Sequence, residues 1–201
     1  MFTYFGQYAG NFVMAISEES FQRGIILSDD KDFTAPSSRL SADPIIDALD
    51  ITYSWINIEE AMNTDGNYND PLHEYLAYTF YLKNTGNETV PVRMTLDIRS
   101  VHLGLDSAIR ILFIENDTIF TMYQKPDEEE TEYFNMPEAE YFVSDTRVLD
   151  EVIRNFRPGQ VNKYTFLLWL EGEDPDCTND VQGGRIKLQM NFKIEGGQDL
   201  S

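Results

Sequence analysis

The sequence predicts an all-β protein, a jelly-roll-type β-sandwich with one short helix and long acidic loops. Three observations carry that expectation. Arg185–Ile194 alternates strictly, with Ile186, Leu188, Met190, Phe192 and Ile194 on one side and Arg185, Lys187, Gln189, Asn191 and Lys193 on the other. A period of two places one face in a core and one in water. Tyr164–Leu170 is apolar on both faces, as expected of a strand central in its sheet. Ahead of this spine, strand-like runs recur between turn signals, while helical spacing shows up once, and about eight or nine strands with a single helix fit a sandwich.

Taken in order, residues 2–17 carry no charged side chain, and the first is Glu18. Phe2, Tyr4, Phe5, Tyr8, Phe12, Val13, Met14 and Ile16 favour a strand, interrupted by Gly6 and Gly10. Residues 1–17 are therefore expected to be an N-terminal extended segment, either a first core strand or a strand added to a neighbouring subunit. Residues 18–201 are expected to form a single sandwich domain. Gly24–Ser28 reads as a short strand and Asp29–Ser41 as a loop. Asp50–Asn57 reads as a strand with Ile51, Tyr53 and Trp55 on one face, and Glu59–Pro71 as a loop. Tyr75–Lys83 and Val90–Arg99 flank the turn Asn84-Thr85-Gly86-Asn87, as a hairpin or as consecutive strands in two sheets. Ala108–Glu115 and Thr118–Tyr123 form a further pair turning at Asn116-Asp117. The stretch 124–143, with Asp127-Glu128-Glu129-Glu130, reads as a solvated loop. Val148, Leu149, Val152, Ile153 and Phe156 recur at helical spacing, with Ser144 or Asp145 as N-cap and Pro158-Gly159 as the stop, and predict the one helix.

Composition narrows the function. The 201 residues carry a net charge of −20, with hydrophobic residues at 42%. So much negative charge argues against nucleic acid and anionic membranes as partners. No apolar run approaches the roughly 20 residues of a membrane helix. The start lacks a basic region followed by an apolar one, so no export signal is recognised within it. A single cysteine, Cys177, leaves no intramolecular disulfide, and no Cys/His spacing points to zinc.

Catalytic motifs are missing. His73 and His102 lack recognisable partners, and neither a metalloprotease motif, a nucleophile elbow nor a phosphate loop is present. Acidic neighbours at Asp174 and Asp176 should raise the thiol pKa of Cys177 and suppress its thiolate. With carboxylates so abundant, an acid/base pair has no specificity as a signal, and no enzyme activity is expected. Two loops offer hard oxygen ligands for calcium. Asp65, Asn67, Asn69 and Asp70 surround Gly66 without the spacing of an EF-hand, and Glu173, Asp174, Asp176 and Asp180 follow the first spine strand. Ordinary turns would use the same residues. Asn87-Glu88-Thr89 and Asn116-Asp117-Thr118 match the glycosylation pattern but fall where turns already favour Asn.

Two stretches go beyond periodicity. Gln182–Phe192, QGGRIKLQMNF, resembles the last strand of the TasA/camelysin family of secreted Gram-positive fibre-forming proteins. Phe80–Gly86, FYLKNTG, running into Val90–Ile98, resembles an internal strand–turn–strand of the same family, and the runs Trp169–Gly172 and Asp174–Cys177 are similar to related exported proteins. The resemblance implies a jelly-roll subunit, exported with its signal peptide removed, that polymerises into a biofilm-matrix or cell-surface fibre when the N-terminal strand of one copy completes the sheet of the next. Phe2, Tyr4, Tyr8, Phe12, Met14 and Ile16 would then make the assembly contacts, and the partners would be further copies, with cell wall or other matrix proteins beside them. The proteolytic activity described for camelysin is not carried over, for want of a zinc motif. A second expectation is a monomeric module that recognises a glycan or surface protein through Tyr53, Trp55 and Tyr81.

Overall fold

Alternation along the N-terminal segment produces the first element. In the computed structural model, which describes residues 8–126 and 136–196, β1 (Tyr8–Ile16) buries every second residue. Ser17 caps the short helix α1 (Glu18–Gln22), its hydroxyl accepting the Ser20 N–H while Glu18 and Glu19 face the positive end of the helix. β2 (Ile25–Ser28), β3 (Arg39–Ser41) and β4 (Ile45–Ala48) follow. A 3-10 turn, Tyr53–Trp55, and the helix α2 (Ile58–Asn63), capped by Asn57, precede β5 (Gly66–Asn67). Then come β6 (Leu76–Asn84), β7 (Val90–His102), β8 (Ile109–Glu115), β9 (Ile119–Gln124), β10 (Ala139–Tyr141), β11 (Arg147–Phe156), β12 (Val161–Leu170) and β13 (Arg185–Ile194).

These strands form a two-sheet sandwich with minor helical content. One sheet runs β11-β7-β13-β1-β3, with β4 also on β1; the other runs β10-β9-β8-β12-β6-β2, with β5 on β6. β12 is central, as its composition requires, between β6 and β8. The spine strands β12 and β13 lie in opposite sheets, and so do β6 and β7, which settles the choice between hairpin and crossover for that pair. β8 and β9 are a true hairpin. Asn116 and Asp117 both take positive φ, 50° and 57°, the geometry whose twist matches the strands it joins.

Apolar residues on both faces of β12 serve two cores. Between the sheets, Phe12 stacks on Phe166 at 3.8 Å and 12°, and Phe80, Phe113, Tyr164 and Phe192 continue the aromatic layer. On the outer face, Leu167 and Trp169 join Ala77, Leu112, Ile114 and Met122 beneath a cover of Ile51, Ala61 and Tyr75. That cover corrects two expectations. Asp50–Asn57 is not a strand: Ile51 bridges Glu171, and the chain then coils into the 3-10 turn. The expected loop 59–71 contains most of α2 and the two-residue β5.

The predicted helix over Val148–Phe156 is instead the strand β11, paired antiparallel with β7. Its register shifts between Arg147 and Leu149 and again between Ile153 and Phe156. Extra residues at such irregularities break strict alternation, so the apolar positions mimic a helical period. Tertiary pairing fixes the outcome, and the β-branched Val148, Val152 and Ile153 suit it. On the surface, Arg93 of β7 binds Asp150 of β11 at 2.7 Å, and Arg147 binds Asp97 at 2.7 Å, tying the edge strand to its neighbour.

Candidate functional site

β1 sits within the chain's own sheet. It pairs parallel with β13 over eight positions, Ala9↔Arg185 through Ile16↔Phe192, and antiparallel with β3 and β4 on its other side. Tyr8, Phe12, Met14 and Ile16 of the expected assembly residues all point into the core and are buried. Gly10 completes the inward row, and a Cβ there would meet Leu168 Cδ2 at 3.1 Å and Ile45 Cγ1 at 3.4 Å, a tight fit that those side chains would have to shift to accommodate. Phe2 and Tyr4 lie outside the described residues. At its far end β1 joins the body through Ser17, whose N–H donates to the Phe192 carbonyl at 3.1 Å.

Beside the start of β1 is an aromatic cleft. Trp55, about half exposed, stacks on His73 with ring centroids 5.1 Å apart. A cleft of about 410 Å³ is lined by this pair with Leu49, Asp50, Ile51, Leu72 and Glu74 among others. A second, of about 470 Å³, shares the pair and is lined also by Asn57, Glu60 and Tyr68. Leu49 and Leu72 are exposed at the rim, Leu72 to 82%. The remaining exposed-aromatic candidates are placed elsewhere. Tyr81 is buried, its hydroxyl donating to Asp65 at 2.6 Å, which corrects its expected exposure. Tyr53 is half-buried against Trp169. Sequence gave no sign that His73 would partner Trp55, because 18 residues separate them and no helical or strand period relates them.

The candidate calcium ligands are dispersed among other duties. Asp65 accepts from Tyr81 and from the Lys31 N–H, and Asn67 Oδ1 accepts the Asp43 N–H at 2.6 Å. Asp70 accepts the Leu72 and His73 N–H groups and the Tyr75 hydroxyl at 2.8 Å. Burial would raise the Asp70 carboxyl, but these donors outweigh it and hold it below the usual carboxylate range. Asn69, Glu173, Asp176 and Asp180 are exposed. Asp174 is buried and paired with Arg110 Nη1 at 2.7 Å, both side chains almost fully enclosed. Among the described residues, no three His, Cys, Asp or Glu side chains are grouped to hold a metal ion.

Asp174 belongs to a buried polar knot that the sequence did not announce. Glu171, fully buried, accepts Trp169 Nε1–H at 2.8 Å and the Tyr53 and Glu173 N–H groups. The exposed Asp50 lies against the turn that follows: a Cβ on Gly172 would stand 2.6 Å from Asp50 Oδ2. Cys177 is half-buried nearby. Its thiol is pushed up to about 11, first by burial and then by Asp50, Asp174 and Glu171, which leaves little thiolate at neutral pH.

Compared with protein-family models, curated proteins and solved structures, the chain gives no significant match. The resemblance to the TasA/camelysin family rests on the segments quoted above, of which Phe80–Gly86 spans the end of β6 and the turn after it, and Gln182–Phe192 covers most of β13. Among the described residues, no helix is long and apolar enough to cross a membrane.

Proposed function

We propose that this chain is a non-catalytic structural subunit of a secreted biofilm-matrix or cell-surface fibre, built on a jelly-roll sandwich and assembled by exchange of β1 between copies. The observation that carries the reading is the place of β1. It supplies a full row of core residues, Tyr8, Gly10, Phe12, Met14 and Ile16, and leads into the body through Ser17 at the cap of α1. The same register against β13, β3 and β4 can be satisfied by the β1 of another copy. Main-chain hydrogen bonds would supply affinity and the alternating side chains specificity. Exchange from head to tail does not close on itself and gives a filament. The family resemblance supports the same reading, since Gln182–Phe192, the strongest segment, includes the strand that β1 pairs with.

A lock on the strand tests it. Val13 and Gln189 are register partners on the outward face of β1 and β13. Adjacent strands lie within disulfide reach, so Val13→Cys with Gln189→Cys, in a Cys177→Ser background, can be oxidised in the closed monomer. Oxidation before assembly should leave a folded chain that forms no filaments by negative-stain microscopy. Oxidation after assembly should give a covalent ladder on a non-reducing gel. Filaments from the locked monomer would sink the proposal.

A second reading is favoured by the exposed Trp55–His73 stack, a platform suited to the apolar face of a sugar ring. It makes the chain a monomeric module for a cell-surface glycan. A monodisperse monomer whose Trp55 emission shifts with added cell-wall glycan, and no filament under any condition, would favour it over strand exchange.

A further inference from the structure

We propose that the outer face of the sheet holding β1 docks a second copy of this chain, which presents the acidic cover over its opposite sheet, residues 49–75. Strand alternation and register place the charges of this face. On β13, Arg185, Lys187 and Lys193 point outward, away from the buried row that begins at Ile186. Arg93 of β7 is the partner of Lys193, and Arg39 of β3 lies across Ala15 of β1. Arg147 of β11 is the partner of Asp97 and binds it on the same side. The face thus gathers six of the chain's 15 Lys and Arg residues, with Asp97, Asp150 and Glu195 from its 35 acids. Those three acids are taken up by Arg93 and Arg147. Among the described residues, Arg39, Arg185, Lys187 and Lys193 make no ion pair. An otherwise strongly acidic molecule therefore holds four uncompensated cations on one flat surface.

Such a face selects an anionic partner, and the chain itself supplies one. Residues 49–75 contain Asp50, Glu59, Glu60, Asp65, Asp70 and Glu74, and neither Lys nor Arg. Ile51, Ala61 and Tyr75 of that segment cover the outer core of the other sheet, so the two charge clusters lie on opposite outer surfaces of the sandwich. A contact between unlike surfaces does not close on itself, and each docked copy leaves a face free for the next. Apolar area favours a second copy over a polyanion. The part-exposed Ala9, Val13 and Ala15 of β1 lie among the cations, and the cover exposes Leu49, Trp55 and Leu72 to 51%, 54% and 82%. A protein surface buries that area, whereas a phosphate chain does not. Each copy carries −20, so net charges repel while the facing surfaces attract. At about 0.15 M salt, a screening length of about 8 Å hides most of the net charge but not groups in contact. The contact is therefore reversible and salt-labile, and it needs no exchange of β1.

Charge reversal tests it by sedimentation velocity over a range of protein concentration. Lys187→Glu with Lys193→Glu turns the face acidic, and Glu60→Lys with Glu74→Lys turns the cover basic; all four side chains are exposed. The parent chain should associate with rising concentration at about 0.15 M salt and lose that association at about 1 M, where the screening length is about 3 Å. Each variant alone should lose it by about tenfold or more in affinity. An equimolar mixture of the two variants should regain it, because the reversed face of one then matches the reversed cover of the other; recovery on mixing also shows that both variants are folded. A parent without salt-labile association, a variant that keeps it, or a mixture that fails to regain it overturns the proposal. Polyphosphate supplies the control for the other occupant: binding that the Lys187→Glu, Lys193→Glu variant loses while its self-association persists gives the face to a polyanion and overturns docking. Strand exchange is read separately, since an exchanged β1 resists 1 M salt and is indifferent to both pairs of substitutions. Association of that kind alone supports exchange and counts against docking, and salt-labile, charge-matched association alone does the reverse.

Discussion

Truncating Phe12 to alanine should remove a larger share of the sandwich's stability than any other change in β1. Its ring is buried to 1%, stacked on Phe166 at 3.8 Å and tilted against Phe80 at 6.3 Å, so it joins the two sheets through β1. Deleting a core phenylalanine side chain costs about 3–5 kcal/mol, the cavity included. About 0.5–1.5 kcal/mol of that reflects the geometry of the ring pair. For a domain of this length the loss corresponds to a fall in Tm of roughly 6–20 °C. Val13→Ala, one residue along and only half-buried, should cost about 1 kcal/mol or less. Urea unfolding followed by Trp169 emission measures both, with an unchanged slope confirming that the native state alone was altered. Repeating the series over a range of protein concentration adds a second reading, because a strand supplied by another copy makes the midpoint rise with concentration. If Phe12→Ala cost no more than Val13→Ala, β1 would not be seated in the core and the strand-exchange proposal would lose its basis.

Other perturbations probe the loops. Asp174→Asn removes a carboxylate paired with the buried Arg110 at 2.7 Å and should cost up to about 3–5 kcal/mol by chemical denaturation, whereas Arg110→Leu with Asp174→Leu should recover much of it; a single variant as stable as the parent would refute the weight given to this pair. Asp70, held below the usual carboxylate range, contributes stability that is complete above that range and is lost as pH falls through its lowered value. Asp70→Asn should therefore weaken the fold at neutral pH and converge on the parent in strong acid, as read from urea midpoints across the acid limb. Thermal melts in millimolar calcium, in equal magnesium and in chelator should differ only through screening of the net charge of −20, because Asp70 and Asp174 already have partners; a rise specific to calcium would assign a cation to one of the acidic loops.

Strands whose environment is uniform along their length were legible in the sequence. β13 alternates because one face meets the inter-sheet core and the other meets water, and β12 is apolar throughout because both its faces are covered. Asn116-Asp117 was legible because the side chains that tolerate positive φ are few. β11 was not, because two register shifts scramble its period, and the pairing that overrides the helical pattern is made by β7, some 50 residues away. The segment 50–64 failed for a related reason. Its apolar residues cover the back of a sheet, a task that sets no backbone period, so Ile51, Tyr53 and Trp55 alternated by chance. At the candidate site, the uncharged run that holds β1 stood out from composition alone. The Trp55–His73 stack and the Arg110–Asp174 pair did not, since each depends on chain segments brought together only by the completed sandwich.

The edges of the two sheets bear on how copies could join. β3 and β10 have three residues each and β2 has four, too short to template a neighbouring strand. β11 is the long edge, with ten residues, and it carries Asp150, Glu151 and Arg154 together with two register shifts. Charges and irregular register are the means by which edge strands resist adding another strand. β1 is different in kind, flanked by β13 on one side and by β3 and β4 on the other. Exchanging it between copies opens no edge and preserves every hydrogen bond and core contact that it makes in the closed chain. Under the strand-exchange reading, closed and linked forms therefore differ chiefly at the Ser17 link and in the entropy of association. That near-balance makes protein concentration the natural control on assembly, and it is why the covalent lock on β1, rather than any change to an exposed edge, is the decisive experiment.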